Sequence, residues 1–215
     1  MPDSDAIIKL TTKRPKQSRS IASTNRMLDS AEQIFATSGP DGLTVEAVTT
    51  MAGTSVGSFY SRFVNRDGLL FAMHERFIQR MDQFIESISE KAASRRTIRE
   101  AIKVIIKGYY QLMQDNRNSI TFFMLFKADD SKLKERGVLA NAAAAGKFKR
   151  VMKKFESEIN HPDPEIAADF AFRFLIAMLV QQIMFQPAEV TGRSCSEAKL
   201  IVEISRMMTE YFDIS

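Results

Sequence analysis

Residues 44–70 carry the pattern that most constrains the fold: a helix, a tight turn and a second short helix, in TVEAVTTMAGTSVGSFYSRFVNRDGLL. Thr44 is a good N-cap residue, and the apolar residues after it recur at helical spacing. Gly53 follows that helix and can adopt the positive φ that a sharp turn between helices needs. Ser55 suits the N-cap of the next helix, and Asn65 suits the start of a third. Two short capped helices make a poor core of their own, so the pattern predicts a helix-turn-helix that serves a surface.

This segment and the helix before it resemble the DNA-binding head of the tetracycline-repressor (TetR) family of bacterial transcription regulators. The resemblance covers residues 20–75, and its strongest matches are AEQIFATSG, the Leu43-Thr44 helix start, MAGTSVGSFYSRF and NRDGLL. Tyr60 and Arg66 resemble the family's phosphate-contacting tyrosine and lysine, with arginine in place of the lysine. Thr49 stands where the family usually has alanine. The resemblance implies an all-α protein with an N-terminal three-helix DNA-binding head and a larger helical body for ligand binding and dimerisation.

A helix-turn-helix places the start of its second helix against base edges in the major groove. The hydroxyls of Ser55 and Ser58 suit several bases, and Val56 suits the methyl group of thymine. Thr44 lies at a helix N-terminus, where the free N–H groups suit a phosphate. With the two residues implied by the resemblance, the predicted DNA-binding set is Thr44, Thr54, Ser55, Val56, Gly57, Ser58, Tyr60 and Arg66.

Three other side chains of this segment have different predicted roles. Phe59 and Phe63 recur at helical spacing and are interpreted as core residues. Arg62 is interpreted either as a solvated charge at a helix end or as a DNA contact.

Basic residues cluster at the N-terminus. Residues 6–28 contain no acid, and their basic side chains are Lys9, Lys13, Arg14, Lys16, Arg19 and Arg26. Residues 1–19 are therefore predicted to form a flexible basic arm that lies along phosphates or enters a minor groove. The alternative is a solubilising tail, because blocks of like charge are often simply disordered.

The rest of the chain has helical periodicity, which predicts a head at residues 20–70 and a body at 71–215. Helices are predicted from the head to about residue 92, at 98–115, at 140–159, at 165–185 and at 196–213, with a polar loop at ADDSK. The last two helices carry more apolar surface than one protomer can cover. They are therefore predicted to form a homodimer interface, in agreement with the four-helix interface that the resemblance implies. The alternative is an ordinary monomer core.

Composition narrows the class of protein further. Cys195 is the only cysteine, so an intrachain disulfide is impossible and a reducing cytoplasm is the predicted location. The most apolar run, residues 166–185, is long enough for a membrane span. Asp169 and Arg173 interrupt it at a cost of about 2.5–3.5 kcal/mol each, which favours a buried helix and no membrane partner.

The body also contains the predicted effector site. The resemblance implies a small-molecule ligand whose binding releases DNA, and the soft aromatic character of the body favours an apolar or amphipathic one. The candidate lining residues are Tyr109, Tyr110, Met113, Phe122, Phe123, Phe126, Phe170, Arg173, Phe174 and Met178. Aromatic and methionine stripes are also the normal content of a core. Asp169 and Arg173 are the best polar anchors, or else an ion pair at the dimer interface.

An enzyme is disfavoured because no nucleophile–base pair, metal-ligand spacing or glycine-rich phosphate loop is present. His74 is interpreted as a helix-surface residue. No catalytic residue, metal or cofactor is predicted. The sequence thus indicates a DNA-binding transcriptional regulator, most simply a repressor released from a palindromic operator by a ligand. The alternative is a helical ligand-binding or adaptor protein without specific operator binding.

Overall fold

The protein was analysed as a computed structural model that describes residues 18–126, 130–185 and 190–214, apart from the side chains of Ser18, Arg19, Leu125 and Phe126. The predicted basic arm therefore lies almost wholly outside the described residues. Within these ranges the chain is all-α and contains no strand, which confirms the predicted fold class.

The helices follow one another with short connections. They are α1 (Ser18–Ser38), α2 (Val45–Met51), α3 (Val56–Tyr60), α4 (Arg66–Ala93), α5 (Ile98–Asp115), α6 (Arg117–Thr121), α7 (Ser131–Lys154), α8 (Pro164–Met184) and α9 (Glu197–Tyr211). Short 3-10 turns cover Pro40–Gly42 and Glu156–Glu158, and a π-helical turn covers Phe122–Phe126. Contacts divide the chain into two compact units, Met1–Phe77 and Ile78–Ser215, and the division falls within α4.

The first unit is a small helical head. Helix α2 packs against both α1 and α3. The centre of the head is filled by side chains that are at most 1% exposed: Met27, Leu43, Val48, Phe59, Phe63, Leu69 and Leu70. The core interpretation of Phe59 and Phe63 is therefore confirmed.

The second unit is a helical body with α5 at its centre. Helix α5 packs against α8 and α9, and α7 packs against α8. The inner face of α5 is fully buried at Ile98, Ile102, Ile105 and Ile106. Gly108 allows a close approach to α4, because a Cβ atom added there would lie 2.8 Å from Ile88 Cγ1.

A buried lysine joins α4 to α7 in this unit. The Lys147 side chain is 9% exposed, and its Nζ lies 2.7 Å from Asp82 Oδ1 and 3.1 Å from Glu86 Oε2. Its Nζ also donates to the Asp82 carbonyl oxygen at 2.9 Å. Burial of the ammonium group is thus compensated by three oxygen acceptors, as a buried charge requires.

Most predicted helix boundaries agree with the structure within two residues, but the predicted start of α7 is wrong. Helix α7 begins at Ser131 rather than at residue 140, and it takes in the end of the predicted ADDSK loop. The Asp130 side chain accepts hydrogen bonds from the N–H groups of Lys132 and Leu133 at 3.1 and 3.2 Å. This cap starts the helix early, although the following turns are polar and contain Gly137.

Helix α8, predicted as a buried helix at residues 166–185, is buried along one face only within the single chain. One face, including Ala171, Leu175 and Leu179, is at most 3% exposed, whereas Ile166 and Phe170 are 50% and 58% exposed. By length and composition alone α8 could also cross a membrane, but core helices of globular proteins meet the same test. Its exposed apolar face requires another cover.

Candidate DNA interface and effector site

Helices α2 and α3 are each started by the side chain predicted to cap them. Thr44 Oγ1 accepts a hydrogen bond from the Ala47 N–H at 3.1 Å, and Ser55 Oγ accepts one from the Ser58 N–H at 3.1 Å. Between the helices, Gly53 adopts a φ of 59°, the left-handed conformation that glycine permits. The helix-turn-helix is therefore present with the local chemistry that the sequence predicted.

The predicted base-reading face of α3 is open. Val56 and Tyr60 are 48% and 54% exposed, and Ser55 and Gly57 are exposed as well. Phe59 holds this short helix to the head from the opposite side, with its ring 5.2 Å from that of Phe63. The arrangement leaves the N-terminal turn of α3 accessible to a partner.

Two threonines of the helix-turn-helix are less accessible than Ser55. Thr49 is 3% exposed, and its hydroxyl donates to the Val45 carbonyl oxygen of its own helix at 2.8 Å. The Thr54 hydroxyl is buried and has no hydrogen-bond partner among the described residues. Thr54 contributes its backbone instead, since its N–H donates to the Thr49 carbonyl oxygen at 2.9 Å and closes the turn.

Arg62 is a structural link rather than a solvated charge. Its Nη1 donates to the hydroxyl and the carbonyl oxygen of Ser58, both at 2.7 Å. Its Nε donates to Thr24 Oγ1 at 3.0 Å, and its Nη2 donates to Ser20 Oγ at 3.3 Å. The guanidinium therefore connects α3 to the first turns of α1. The (i, i+4) spacing of Ser58 and Arg62 was the only local signal of this link, because the α1 partners are 38 and 42 residues away.

Arg66 lies beside the start of α2. Its Nε donates to the Leu43 carbonyl oxygen at 2.9 Å, and its Nη2 donates to the Pro40 carbonyl oxygen at 2.6 Å. The side chain remains exposed. A positive charge is thus held next to Thr44 and the free N–H groups of the α2 N-terminus, where the dipole already favours an anion.

The candidate effector residues do not form a single group. Tyr109, Met113 and Phe122 are at most 8% exposed, whereas Phe170 is 58% exposed. Tyr110, Phe123, Phe174 and Met178 are intermediate, Arg173 is exposed, and the Phe126 side chain lies outside the described residues. The list therefore separates into an interior part on α5 and the π-helical turn Phe122–Phe126, and an outer part on α8.

The outer part of α8 faces an apolar groove shared with α9. This groove has a volume of about 250 Å³, and its lining residues are Phe170, Ala171, Phe174, Met207, Met208 and Tyr211. Met207 and Tyr211 are 52% and 40% exposed, while Met208 is 2% exposed. Of the apolar α9 residues that line the groove, Met208 thus belongs to the core, whereas Met207 and Tyr211 are exposed.

Asp169 and Arg173 form an ion pair on the outside of α8. Asp169 Oδ2 lies 2.6 Å from Arg173 Nε, and Asp169 Oδ1 lies 2.9 Å from Lys149 Nζ of α7. The hydrogen bonds from Arg173 and then Lys149 lower the pKa of the Asp169 carboxyl below its usual value. Because Arg173 is already paired and is directed outward, these residues do not lie beside the interior aromatic group.

The histidine of α4 is buried, whereas it was predicted to lie on the helix surface. His74 is 5% exposed, and the adjacent Glu75 is 3% exposed. The described ranges contain no group of three or more His, Cys, Asp or Glu side chains that could hold a metal ion.

Comparison of the sequence with known proteins finds a family match in the head. Residues 27–73 match the sequence profile of bacterial regulatory proteins of the tetR family. A fatty acid metabolism regulator protein of Bacillus subtilis (strain 168) is 26% identical over 106 residues, which are 49% of this chain and 50% of that protein. The chain thus matches about half the length of this curated relative.

Solved structures show the same fold over nearly the whole chain. A protein of Mesorhizobium loti named as a TetR-family transcriptional regulator has a TM-score of 0.75 and 15% identity, covering 92% of this chain and 98% of that chain. The transcriptional regulator FadR of Bacillus subtilis, solved with stearoyl-CoA, has a TM-score of 0.60 and 17% identity, covering 87% and 96%. The fatty acid degradation regulator FadR of Bacillus halodurans has a TM-score of 0.62 and 14% identity, covering 93% and 97%. At these identities the likeness describes the fold.

Proposed function

We propose that this chain, which belongs to the TetR family of bacterial regulatory proteins, is a cytoplasmic transcriptional repressor that a small-molecule effector releases from DNA. The observation that carries the proposal is the capped α2–turn–α3 unit, whose reading helix exposes Ser55, Val56 and Tyr60. A surface of this shape and chemistry fits the major groove of an operator. The head is assigned to residues 20–70 and the body to 71–215, with residues 1–19 as an additional basic arm.

Two hydroxyls in the head are suited to DNA as well as to capping. Thr44 Oγ1 and Ser55 Oγ each accept a bond from their own helix, at 3.1 Å in both cases. Each hydroxyl keeps its proton, which is available to donate to a phosphate or to a base acceptor. Thr44 is assigned to a phosphate, while Ser55 and Val56 are assigned to base edges. Gly57 has no side chain, and it allows the backbone to approach the groove.

Phosphate binding is assigned to Tyr60 and Arg66. Tyr60 is 54% exposed on α3. Arg66 uses Nε and Nη2 to bind the Leu43 and Pro40 carbonyl oxygens, and a guanidinium has five N–H donors in all. The remaining donors and the full positive charge are therefore available beside the start of α2. Ser58 is assigned a secondary reading role, because Arg62 already occupies one acceptor position of its hydroxyl. Thr54 is assigned to the turn itself.

The exposed apolar faces of α8 and α9 are proposed to form a homodimer interface. Phe170 and Met207 are more than half exposed and line one groove. A second copy presents the same surface, so a twofold axis brings apolar groups from both protomers together. Twofold symmetry is also what a helix-turn-helix protein needs to bind two half-sites of a palindrome.

The effector is proposed to be a long-chain acyl-CoA. The structure of the Bacillus subtilis regulator FadR contains stearoyl-CoA, and the curated relative is a fatty acid metabolism regulator. The interior group on α5 and the π-helical turn, which includes Tyr109, Met113 and Phe122, supplies the apolar and pliable surface that an acyl chain requires. We therefore assign the effector to this interior group and not to the groove lined by Phe170 and Phe174.

A gel shift against DNA from immediately upstream of the protein's own gene tests this function. We expect a discrete complex that survives unrelated competitor DNA and dissociates on addition of stearoyl-CoA. Arg66→Ala should weaken binding to every sequence and reduce the salt dependence by about one charge's worth. Ser55→Ala should instead change the preference among bases. Absence of any complex at low salt would contradict the repressor and favour a helical adaptor. An Arg66→Ala protein with unchanged affinity and salt dependence would contradict the phosphate role.

A further inference from the structure

The interior of the body contains a buried hydroxyl, that of Tyr109, with no hydrogen-bond acceptor among the described residues. Tyr109 lies on α5 and is 3% exposed. Its Oη is inaccessible and has no hydrogen-bond partner among the described residues. A buried polar group without a partner destabilises the folded state, because it has lost its hydrogen bonds to water.

Other buried hydroxyls of the same unit are satisfied. Ser89, Ser205 and Thr209 each donate to a carbonyl oxygen of their own helix, at 2.8, 2.6 and 2.9 Å. Tyr109 cannot do so, since its hydroxyl lies at the far end of a rigid ring. A phenylalanine would fill the same volume without the unsatisfied group, so packing alone does not account for a tyrosine.

The surroundings of Tyr109 are those of a neutral donor in an apolar site. Its ring contacts that of Phe172 on α8 edge to face, with centroids 6.3 Å apart, and Phe172 in turn lies 5.6 Å from Phe148 of α7. Burial, and then the negative charge of Asp82, raise the pKa of Tyr109 far above its ordinary value. The phenol therefore keeps its proton and is available to donate one hydrogen bond. Met113, one turn away on α5, is a pliable neighbour that can repack around a ligand.

We propose that Tyr109 Oη is the hydrogen-bond donor of the effector site, and that it binds a carbonyl oxygen on an otherwise apolar effector. This inference rests on the proposed function, because it assumes that an effector enters the body. For an acyl-CoA the acceptor is the thioester carbonyl oxygen. Donation to that oxygen would satisfy the hydroxyl, and the acyl chain would be covered by the aromatic rings around it.

The test compares two ligands that differ only at the carbonyl group. Stearoyl-CoA contains the thioester carbonyl, whereas the S-octadecyl-CoA thioether has a methylene group in its place. Calorimetry on the wild-type protein, without DNA, should show a preference of about 2- to 13-fold for the thioester, the range for one neutral hydrogen bond. Tyr109→Phe should abolish that preference. Ser89→Ala, which removes a buried hydroxyl that already has a partner, should keep the wild-type preference.

The melting temperature of the ligand-free protein provides a second, independent measurement. Tyr109→Phe should leave it unchanged or raise it, because the variant removes an unsatisfied polar group. A clear decrease would mean that the hydroxyl has a partner within the folded chain, and it would overturn the proposal. An equal thioester preference in Tyr109→Phe and wild type would overturn it as well. Wild-type protein that binds neither ligand would also overturn the proposal. The repressor function is tested separately, by the DNA complex that forms without ligand.

Discussion

Arg62 Nη1 donates to Ser58 Oγ at 2.7 Å, so a side chain predicted to read bases is bound by an arginine of its own head. The same guanidinium reaches Thr24 on α1. The orientation of the reading helix is therefore determined partly by α1 and not only by the turn at Gly53. A contact of this kind holds the helix in place before DNA binds, which reduces the ordering cost of recognition.

Arg62→Met tests this link. We expect the free energy of unfolding of the head to fall by about 1–2 kcal/mol, because several hydrogen bonds to a charged group are lost. Operator affinity should fall, while its salt dependence stays unchanged, since the N–H donors of Arg62 are directed to oxygens of the head and not to a phosphate. Arg62→Lys should behave similarly because an ammonium cannot reproduce the forked geometry. Thermal unfolding and gel shifts at several salt concentrations measure the two effects. A reduced salt slope in Arg62→Met would mean that this residue contacts a phosphate instead.

The proposed dimer predicts that a charge in the α8–α9 groove prevents association. Met207→Glu places a carboxylate on this groove, and burial of an unpaired charge is strongly unfavourable. We expect the dimer dissociation constant to rise by at least about tenfold, which is about 1.4 kcal/mol. Val138→Glu is the matched control, since Val138 is 61% exposed on α7 and lies outside the groove. Sedimentation velocity over a concentration series gives both constants. A Met207→Glu protein that associates as strongly as wild type would exclude this groove from the interface.

Two helix glycines should respond in opposite ways to alanine. At Gly108 the new Cβ would lie 2.8–3.0 Å from three atoms of the Ile88 side chain, so Gly108→Ala should destabilise the protein by about 1–3 kcal/mol through overpacking. At Gly146 a Cβ meets no other atom within 4 Å. Gly146→Ala should stabilise the protein by roughly 0.5–1 kcal/mol because helix propensity improves. Urea unfolding of both variants measures the contrast. If both variants changed the free energy of unfolding equally, α4 and α5 would have to move apart at Gly108 with little loss of stability.

The link between α4 and α7 predicts a loss of stability in acid. The hydrogen bond from Lys147 lowers the pKa of Glu86 below its ordinary 4.5, with burial acting in the opposite direction and Arg150 adding to the decrease. A carboxyl whose pKa is lowered on folding stabilises the protein above its unfolded-state pKa, and that contribution disappears as the pH falls through the folded-state value. Glu86→Gln should therefore flatten the decline in melting temperature below pH 4.5. An identical pH profile of the melting temperature in the variant and the wild type would show that the Lys147–Glu86 pair does not contribute to stability.

Helix starts in this chain were largely predictable because capping is a local interaction. Thr44, Ser55 and Asn65 each accept a hydrogen bond from an N–H group three residues ahead. The spacing of apolar residues also predicted a helix at residues 98–115, where α5 lies. Helix α7 was the exception, since the Asp130 cap was hidden in a segment whose polarity indicated a loop.

The functional residues were predictable only as residue types at positions along a helix. Spacing predicted that Ser55 and Val56 start the reading helix, and their exposure agrees with that position. Spacing could not show that Phe170 faces outward while Tyr109 is 3% exposed. Both were equally plausible members of one pocket, because each is an aromatic residue on an apolar helix.

The all-α class, the capped helix-turn-helix and the amphipathic helices could be predicted from the amino-acid sequence, since they depend on bonds and spacings within about four residues. Which side of each helix is covered could be learned from the folded chain alone. It separated Met208, at 2% exposure, from the adjacent Met207 at 52%. It brought Arg62 to Thr24 and Lys147 to Asp82 across 38 and 65 residues. In the part of the chain that the structure describes, it left the Tyr109 hydroxyl without an acceptor. The physical reason is that burial and long-range pairing depend on which helices become neighbours, and that is a property of the whole packed chain.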